Sequence, residues 1–118
     1  MRLLTTFLTL TLPLLTAAYR GDMTHYDPGL GSCGAQSSSS DDIVALSKLL
    51  MDNPANPNAN TKCFSHIHIR AVDGSVVDAT VVDTCEACAT EDIDASTGLF
   101  YKVAPHGDGL VGGVEWWF

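Results

Sequence analysis

The sequence predicts a mainly β fold, a small barrel of short strands with two short helical inserts. Three observations carry this. FSHIHIRAV, residues 64–72, alternates with period two, and SVVDATVVD, residues 75–83, is rich in β-branched side chains; Asp73-Gly74 between them is a strong signal for a tight hairpin. The terminal LVGGVEWWF, residues 110–118, alternates again, placing Val114, Trp116 and Phe118 on one face and Glu115 and Trp117 on the other. Several short strands of this kind avoid exposed sheet edges by closing into a barrel.

The N-terminus, MRLLTTFLTLTLPLLTAA, has one arginine, an apolar run and a small-residue end. These are the three parts of a secretory signal peptide, so residues 1–18 are read as a leader and residues 19–118 as one mature domain. The apolar run is shorter than the ~20 residues needed to span a bilayer. Without Arg2 the domain keeps 5 basic against 14 acidic side chains, a net charge of −9. Such a charge repels phosphate backbones and anionic lipids, which argues against nucleic acid and membranes as partners. It leaves neutral polysaccharides and extracellular proteins, and a monomer is expected.

Along the domain, MTHY (residues 23–26) reads as a strand closed by Asp27-Pro28-Gly29. In DDIVALSKLLM, residues 41–51, Ile43, Leu46 and Leu50 share a helical face that Ser40 or Asp41 would cap. NPANPNANT, residues 53–61, reads as an exposed loop. A second helix is expected within Ile93 to Ala104, starting near Asp94 and Ser96 with Leu99 and Val103 inward, although Gly98 weakens it. No internal repeat is visible.

Four cysteines, Cys33, Cys63, Cys85 and Cys88, fit two bridges in a secreted domain of this size. The Cys85-x-x-Cys88 pair is also compatible with redox or zinc chemistry. Acidic Glu86 and Asp83 nearby would raise a thiol pKa, and export favours oxidation, so disulfides are expected. Four cysteines allow three pairings, and composition does not choose among them. His66 and His68 fall on one strand face, where such a pair can hold a metal, but no third ligand converges with them. No metal and no cofactor is expected.

Thr24-His25-Tyr26, Gly31-Ser32-Cys33-Gly34, DIVALS (42–47), VVDTCEAC (81–88), DIDAS (92–96), Phe100 and Val114-Glu115-Trp116 occur in an order that resembles the rare-lipoprotein-A-like double-psi β-barrels of fungi. The resemblance extends to the first domain of expansins, to barwin and kiwellin, to a bacterial papain inhibitor, and more distantly to family 45 endoglucanases. It implies a six-stranded double-psi β-barrel with a shallow groove across one face. It also implies the pairings Cys33 with Cys63, worth about 3 kcal/mol by loop closure, and Cys85 with Cys88, which would stiffen the loop between Asp83 and Asp94.

Members of that superfamily cut glycans, loosen walls without cutting, or bind proteins, so the site must decide. By resemblance, Asp94 takes the place of the aspartate that expansins need and that the endoglucanases use as general acid, and Asp83 that of a second groove aspartate. The endoglucanase base belongs to a Thr-x-Tyr-x-Asp pattern, whereas here Thr24-His25-Tyr26-Asp27 moves the carboxylate by one residue, to the opposite face of a strand. The histidine of the related lytic transglycosylases is absent from Ala45-Leu46-Ser47. The expectation is therefore a noncatalytic binder of cell-wall polysaccharide, with Thr24, Tyr26, Asp83 and Asp94 lining the groove and Trp117 stacking on a sugar. One alternative is a protein-binding module, an inhibitor of papain-like cysteine proteases or an effector. The other is a weak glycosidase or lytic transglycosylase using Asp94 and Asp83.

Overall fold

A computed structural model describes residues 5–6 and 17–118. The expected leader lies outside the described residues except at Thr5, Thr6, Ala17 and Ala18. The strands are β1 (Tyr19–Tyr26), β2 (Ile43–Ser47), β3 (His66–Arg70), β4 (Val76–Cys85), β5 (Ile93–Ser96) and β6 (Leu110–Trp117). Helix α1 (Lys48–Met51) follows β2, and α2 (Thr97–Val103) follows β5. The strands close into a barrel in the order β1-β5-β2-β4-β3-β6. Among the described residues no helix is long and apolar enough to cross a membrane.

The hairpin forms where the sequence places it. β3 and β4 pair antiparallel with Ile67 opposite Ala79 and Ile69 opposite Val77, and both isoleucines are buried while His66 and Arg70 face outward. In the turn, the Asp73 carboxylate accepts from the Ser75 amide and hydroxyl. β1 starts at Tyr19 rather than Met23, because its first residues pair with β6, Tyr19 lying opposite Trp116.

Residues 43–50 do not form the helix that Ile43, Leu46 and Leu50 predict. Ile43–Ser47 is a strand, parallel to β4 and antiparallel to β5, with all five residues buried. A run that is apolar at nearly every position satisfies a helical template and a wholly buried strand equally well. The two flanking strands and the β-branched Ile43 and Val44 decide it. The helix begins only at Lys48, and its cap is Ser47, not Ser40 or Asp41: Ser47 Oγ accepts from Leu50 N at 3.2 Å and donates to Thr90 O at 2.7 Å.

The segment from Ile93 behaves in the same way. Ile93–Ser96 is strand, and the helix starts after Ser96, whose Oγ accepts from Leu99 N at 3.3 Å and donates to Asp41 O at 2.5 Å. Leu99 and Val103 face the core as predicted. Gly98 is no weakness here, since a Cβ would stand 2.6 Å from Ser39 O, to which its amide donates. Strand, capping serine, helix is thus a unit used twice, although no repeat shows in the sequence.

The core holds Trp116, Phe100, Met23, Leu46, Ile67 and Ile69, all fully buried. Trp116 Nε1 donates to Glu91 O at 2.9 Å, and Tyr19 stacks on the indole at 4.3 Å between centroids. Phe118, expected on the same inward face, is 42% exposed because it lies past the end of β6 and meets Tyr19 and Trp116 only edge-on. The asparagine-rich loop is mostly exposed but anchored by buried Asn60, which donates to Met51 O at 2.7 Å and to Asn53 Oδ1 at 2.8 Å.

The disulfides are Cys33–Cys63 and Cys85–Cys88, separated by 30 and 3 residues. Loop closure then assigns about 3.5 kcal/mol to the first and about 2 kcal/mol to the second. Urea unfolding of the Cys33→Ser/Cys63→Ser protein is expected to show the larger loss of stability. A loss from Cys85→Ser/Cys88→Ser as large as that would contradict the global role of the first bridge.

Candidate functional site

Strand register builds the site. Thr24 in β1 lies opposite Asp94 in β5, Asp94 opposite Ala45 in β2, and Ala45 opposite Asp83 in β4, with an irregularity between Val44 and Ala45. Residues paired across neighbouring strands project to the same side. Thr24, Asp94, Ala45 and Asp83 therefore form one row across four strands, with only a methyl group between the carboxylates. The two aspartates are two strand spacings apart, roughly 10 Å between Cα atoms. Tyr26, two residues beyond Thr24, reaches the far end of the row, where its hydroxyl donates to Asp83 Oδ2 at 3.3 Å.

Asp83 is heavily committed. Its Oδ1 accepts from the amides of Ser32 at 2.9 Å and Thr84 at 2.8 Å, and the Ser32 and Thr84 hydroxyls bond each other at 2.7 Å. Gly31 makes this possible, because a Cβ there would stand 2.3 Å from Val82 O. The loop carrying Cys33 can lie flat on β4 only with glycine at that point.

Asp94 is in a different position. Its Oδ1 accepts from Thr24 Oγ1 at 2.9 Å, and among the described residues that is its one side-chain partner. Burial pushes the carboxyl above the usual aspartate range and the Asp83 charge adds to this, while the Thr24 hydrogen bond and nearby His25 pull the other way. Tyr26 is also pushed up, first by burial and then by the Asp83 charge, so its hydroxyl stays protonated and remains a donor.

A cavity of about 190 Å³ opens beside the row, lined by Asp22, Thr24, Cys85, Ala87, Cys88, Asp92 and Asp94. The Cys85–Cys88 bridge forms part of its wall, between Asp83 and Asp94 in the chain. Asp92 acts as a turn residue: Oδ1 accepts from Asp22 N at 2.9 Å and Oδ2 from Ala89 N at 3.0 Å.

The structure brings together Thr24, Tyr26, Asp83 and Asp94, and does not bring Trp117 to them. Trp117 lies on the β3–β6 side of the barrel, 5.3 Å beneath the Arg70 guanidinium and 5.7 Å from the His68 ring. His68 Nδ1 pairs with Asp78 at 2.5 Å, and His66 lies 3.4 Å from the Thr80 hydroxyl. Among the described residues, no three His, Cys, Asp or Glu side chains converge as a metal set. Asp22 and Ala45 were missed as site residues. Asp22 has the alternation of Thr24 and Tyr26 and becomes visible once β1 is read from Tyr19, whereas Ala45 is hidden by a helical reading of its strand.

This arrangement can hold a ligand hydroxyl or amide through the remaining oxygen of Asp94 and the hydroxyls of Thr24 and Tyr26. Cleaving a glycosidic bond needs two available carboxyls, one acid and one base or nucleophile. Asp83 gives its two oxygens to three donors, which suits a scaffold residue better than a reacting one.

No protein-family model matches the chain. It is 36% identical over 100 residues to the papain inhibitor of Streptomyces mobaraensis, an alignment that covers 83% of this chain and 69% of the inhibitor. The chain belongs to the family of that papain inhibitor. The solved structure of the Streptomyces papain inhibitor superposes with a TM-score of 0.77 at 32% identity, covering 86% of this chain and 93% of that one. An Asp f 7 allergen homologue of Arthroderma benhamiae is 35% identical over 112 residues, but the chain spans only 38% of its length. The apo Clavibacter michiganensis expansin superposes with a TM-score of 0.67 at 20% identity, over 85% of this chain and 49% of the expansin, a likeness of fold alone. A variant of that expansin has been solved in complex with cellohexaose. These likenesses identify the barrel as the double-psi type.

The raised Asp94 pKa has a measurable sign. Well below the unfolded-state pKa the carboxyl is protonated in both states and has no effect; as pH rises through the raised folded-state value, ionisation of the half-buried group opposes folding. Asp94→Asn keeps an acceptor for Thr24 and cannot ionise. Its Tm is expected to gain on the wild type more at about pH 7 than at about pH 3. An equal difference at the two pH values would show that the folded state does not raise this pKa.

Proposed function

We propose that the protein is a secreted, noncatalytic binding domain that acts on an extracellular protein by inhibiting a papain-like cysteine protease. The likeness to the papain inhibitor carries this reading, because it runs through 93% of that structure rather than through one motif. The physical chemistry agrees. Two disulfides, with loops pinned by Asp83 and Asp92, hold the surface in one shape, so little freedom is lost on entering a cleft. The leader sequence and the disulfides support export, as a single rare-lipoprotein-A-like domain over residues 19–118. The chain from Tyr19, with both bridges formed, is expected to block papain hydrolysis of a small peptide substrate at about micromolar concentration or below. Full papain activity at roughly 100 µM would end this reading.

A second reading rests on the row itself. Thr24, Tyr26 and Asp94 offer hydroxyls and a protonatable carboxyl along an open strand face, chemistry that suits a neutral cell-wall polysaccharide. It predicts co-sedimentation with insoluble cellulose, chitin or peptidoglycan that weakens in Asp94→Asn. Recovery of all the protein in the supernatant with each polymer would exclude it. Sugar release lost in Asp94→Asn would instead support the glycosidase alternative.

A further inference from the structure

Phe64 stands in the left-handed backbone region, with φ of 66°, and is 52% exposed. A bulky side chain is strained there, and half of this one remains in solvent. Asp52, at φ of 47°, is the other non-glycine residue with positive φ among the described residues. It caps the end of α1, where short polar side chains tolerate this conformation. Phe64 has no such account.

The turn around Phe64 is held by groups other than its ring. Phe64 N donates to Val81 O at 2.7 Å, Val81 N to Ser65 O at 2.9 Å, Ser65 N to Lys62 O at 3.1 Å and Cys63 N to Asn60 O at 3.1 Å. Cys63 is bonded to Cys33. Glycine or asparagine would adopt the same backbone with less strain, and the hydrogen bonds that hold the turn are made by the backbone, not by the ring.

Leu30 is 73% exposed and stands three residues before Cys33. Its neighbour Gly31 rests against Val82 O, as the Phe64 amide rests on Val81 O. Leu30 and Phe64 thus sit on two loops that one disulfide ties together and that lean on the same stretch of β4, beside Asp83. Single exposed apolar side chains are ordinary on protein surfaces. The strain at Phe64 and the shared staple set these two apart.

We infer that Phe64, with Leu30, forms a rigid apolar edge that enters an apolar subsite in the cleft of the target protease; this rests on the inhibitor reading above. A sugar ring can stack on phenylalanine but gains little from leucine, so the pair fits a protein pocket better than a polysaccharide. An aromatic anchor on a stapled turn loses little conformational entropy when it docks.

The test is papain inhibition and Tm for the wild type and for Phe64→Gly, Phe64→Asn, Leu30→Ser and Val72→Ser. Both Phe64 variants are expected to raise the inhibition constant at least about tenfold while their Tm equals or exceeds that of the wild type, because strain is relieved. Leu30→Ser moves inhibition the same way. Val72→Ser, at an exposed apolar position in the β3–β4 turn, leaves it unchanged. If the wild type inhibits and the Phe64 variants inhibit equally well, the edge is not the docking surface and the inhibitor reading stands. A lower Tm in the Phe64 variants, or an equal loss in Val72→Ser, overturns the edge in the same way. If the wild type does not inhibit papain, the inhibitor reading and the edge fall together.

Discussion

The parallel register between β1 and β5 is the constraint on which the rest depends. It sets Met23 opposite Ile93 inside the barrel, and in the same stroke Thr24 opposite Asp94 outside it. Side chains alternate across a strand, so a slip of β5 by one residue would turn Asp94 inward and Ile93 outward. The register is locked at its far end by Ser96, whose hydroxyl caps α2 and bonds back to Asp41 O. The same core packing that stabilises the barrel therefore orients the polar row.

Within that frame, one residue type does two different jobs. Asp83 accepts from the amides of Ser32 and Thr84 and Asp92 from those of Asp22 and Ala89, hydrogen bonds that hold the GLGSCG loop and the turn at residues 89–92 against the strands. Asp94 accepts one hydroxyl from Thr24 and sits half-buried beside the cavity. Donors to the charged form favour ionisation, whereas burial disfavours it. At Asp94 burial outweighs the single Thr24 hydrogen bond, and the pKa is raised. The loop-holding and cavity-lining carboxyls thus differ in their count of donors, not in the kind of residue.

The fold was legible where one face of an element meets solvent. Ile67 and Ile69 alternate with His66, His68 and Arg70, and Asp73-Gly74 turns the chain, so β3 and β4 can be read from their letters. β2 could not be read in this way, because all five of its residues are buried and a uniformly buried run has no period to detect. The strand then passes for a helix, and Ala45 disappears from the site. Ser47 and Ser96 show the limit from another side: each ends a strand and caps a helix, and a capping serine in sequence does not say what precedes it. Asp83 and Asp94 of the row were found by motif resemblance, whereas Trp117 was placed by alternation alone. Alternation correctly turned it outward but could not say which side of a closed barrel that outward face occupies.

The two surfaces of interest are built from different materials. The Thr24-Asp94-Ala45-Asp83 row belongs to the strands and is as rigid as their hydrogen bonding. The Leu30 and Phe64 edge belongs to loops, held by the Cys33–Cys63 bridge and by contacts to residues 81–83 of β4. Loops accept substitution more readily than the elements they connect. A superposition at 20% identity over 85% of this chain shows how far sequence can diverge while the barrel persists. Asp83 is where the two surfaces meet, since it closes the row at one end and anchors the Leu30 loop at the other. Its three donors, Ser32 and Thr84 amides and the Tyr26 hydroxyl, thereby couple the strand face to the loop edge.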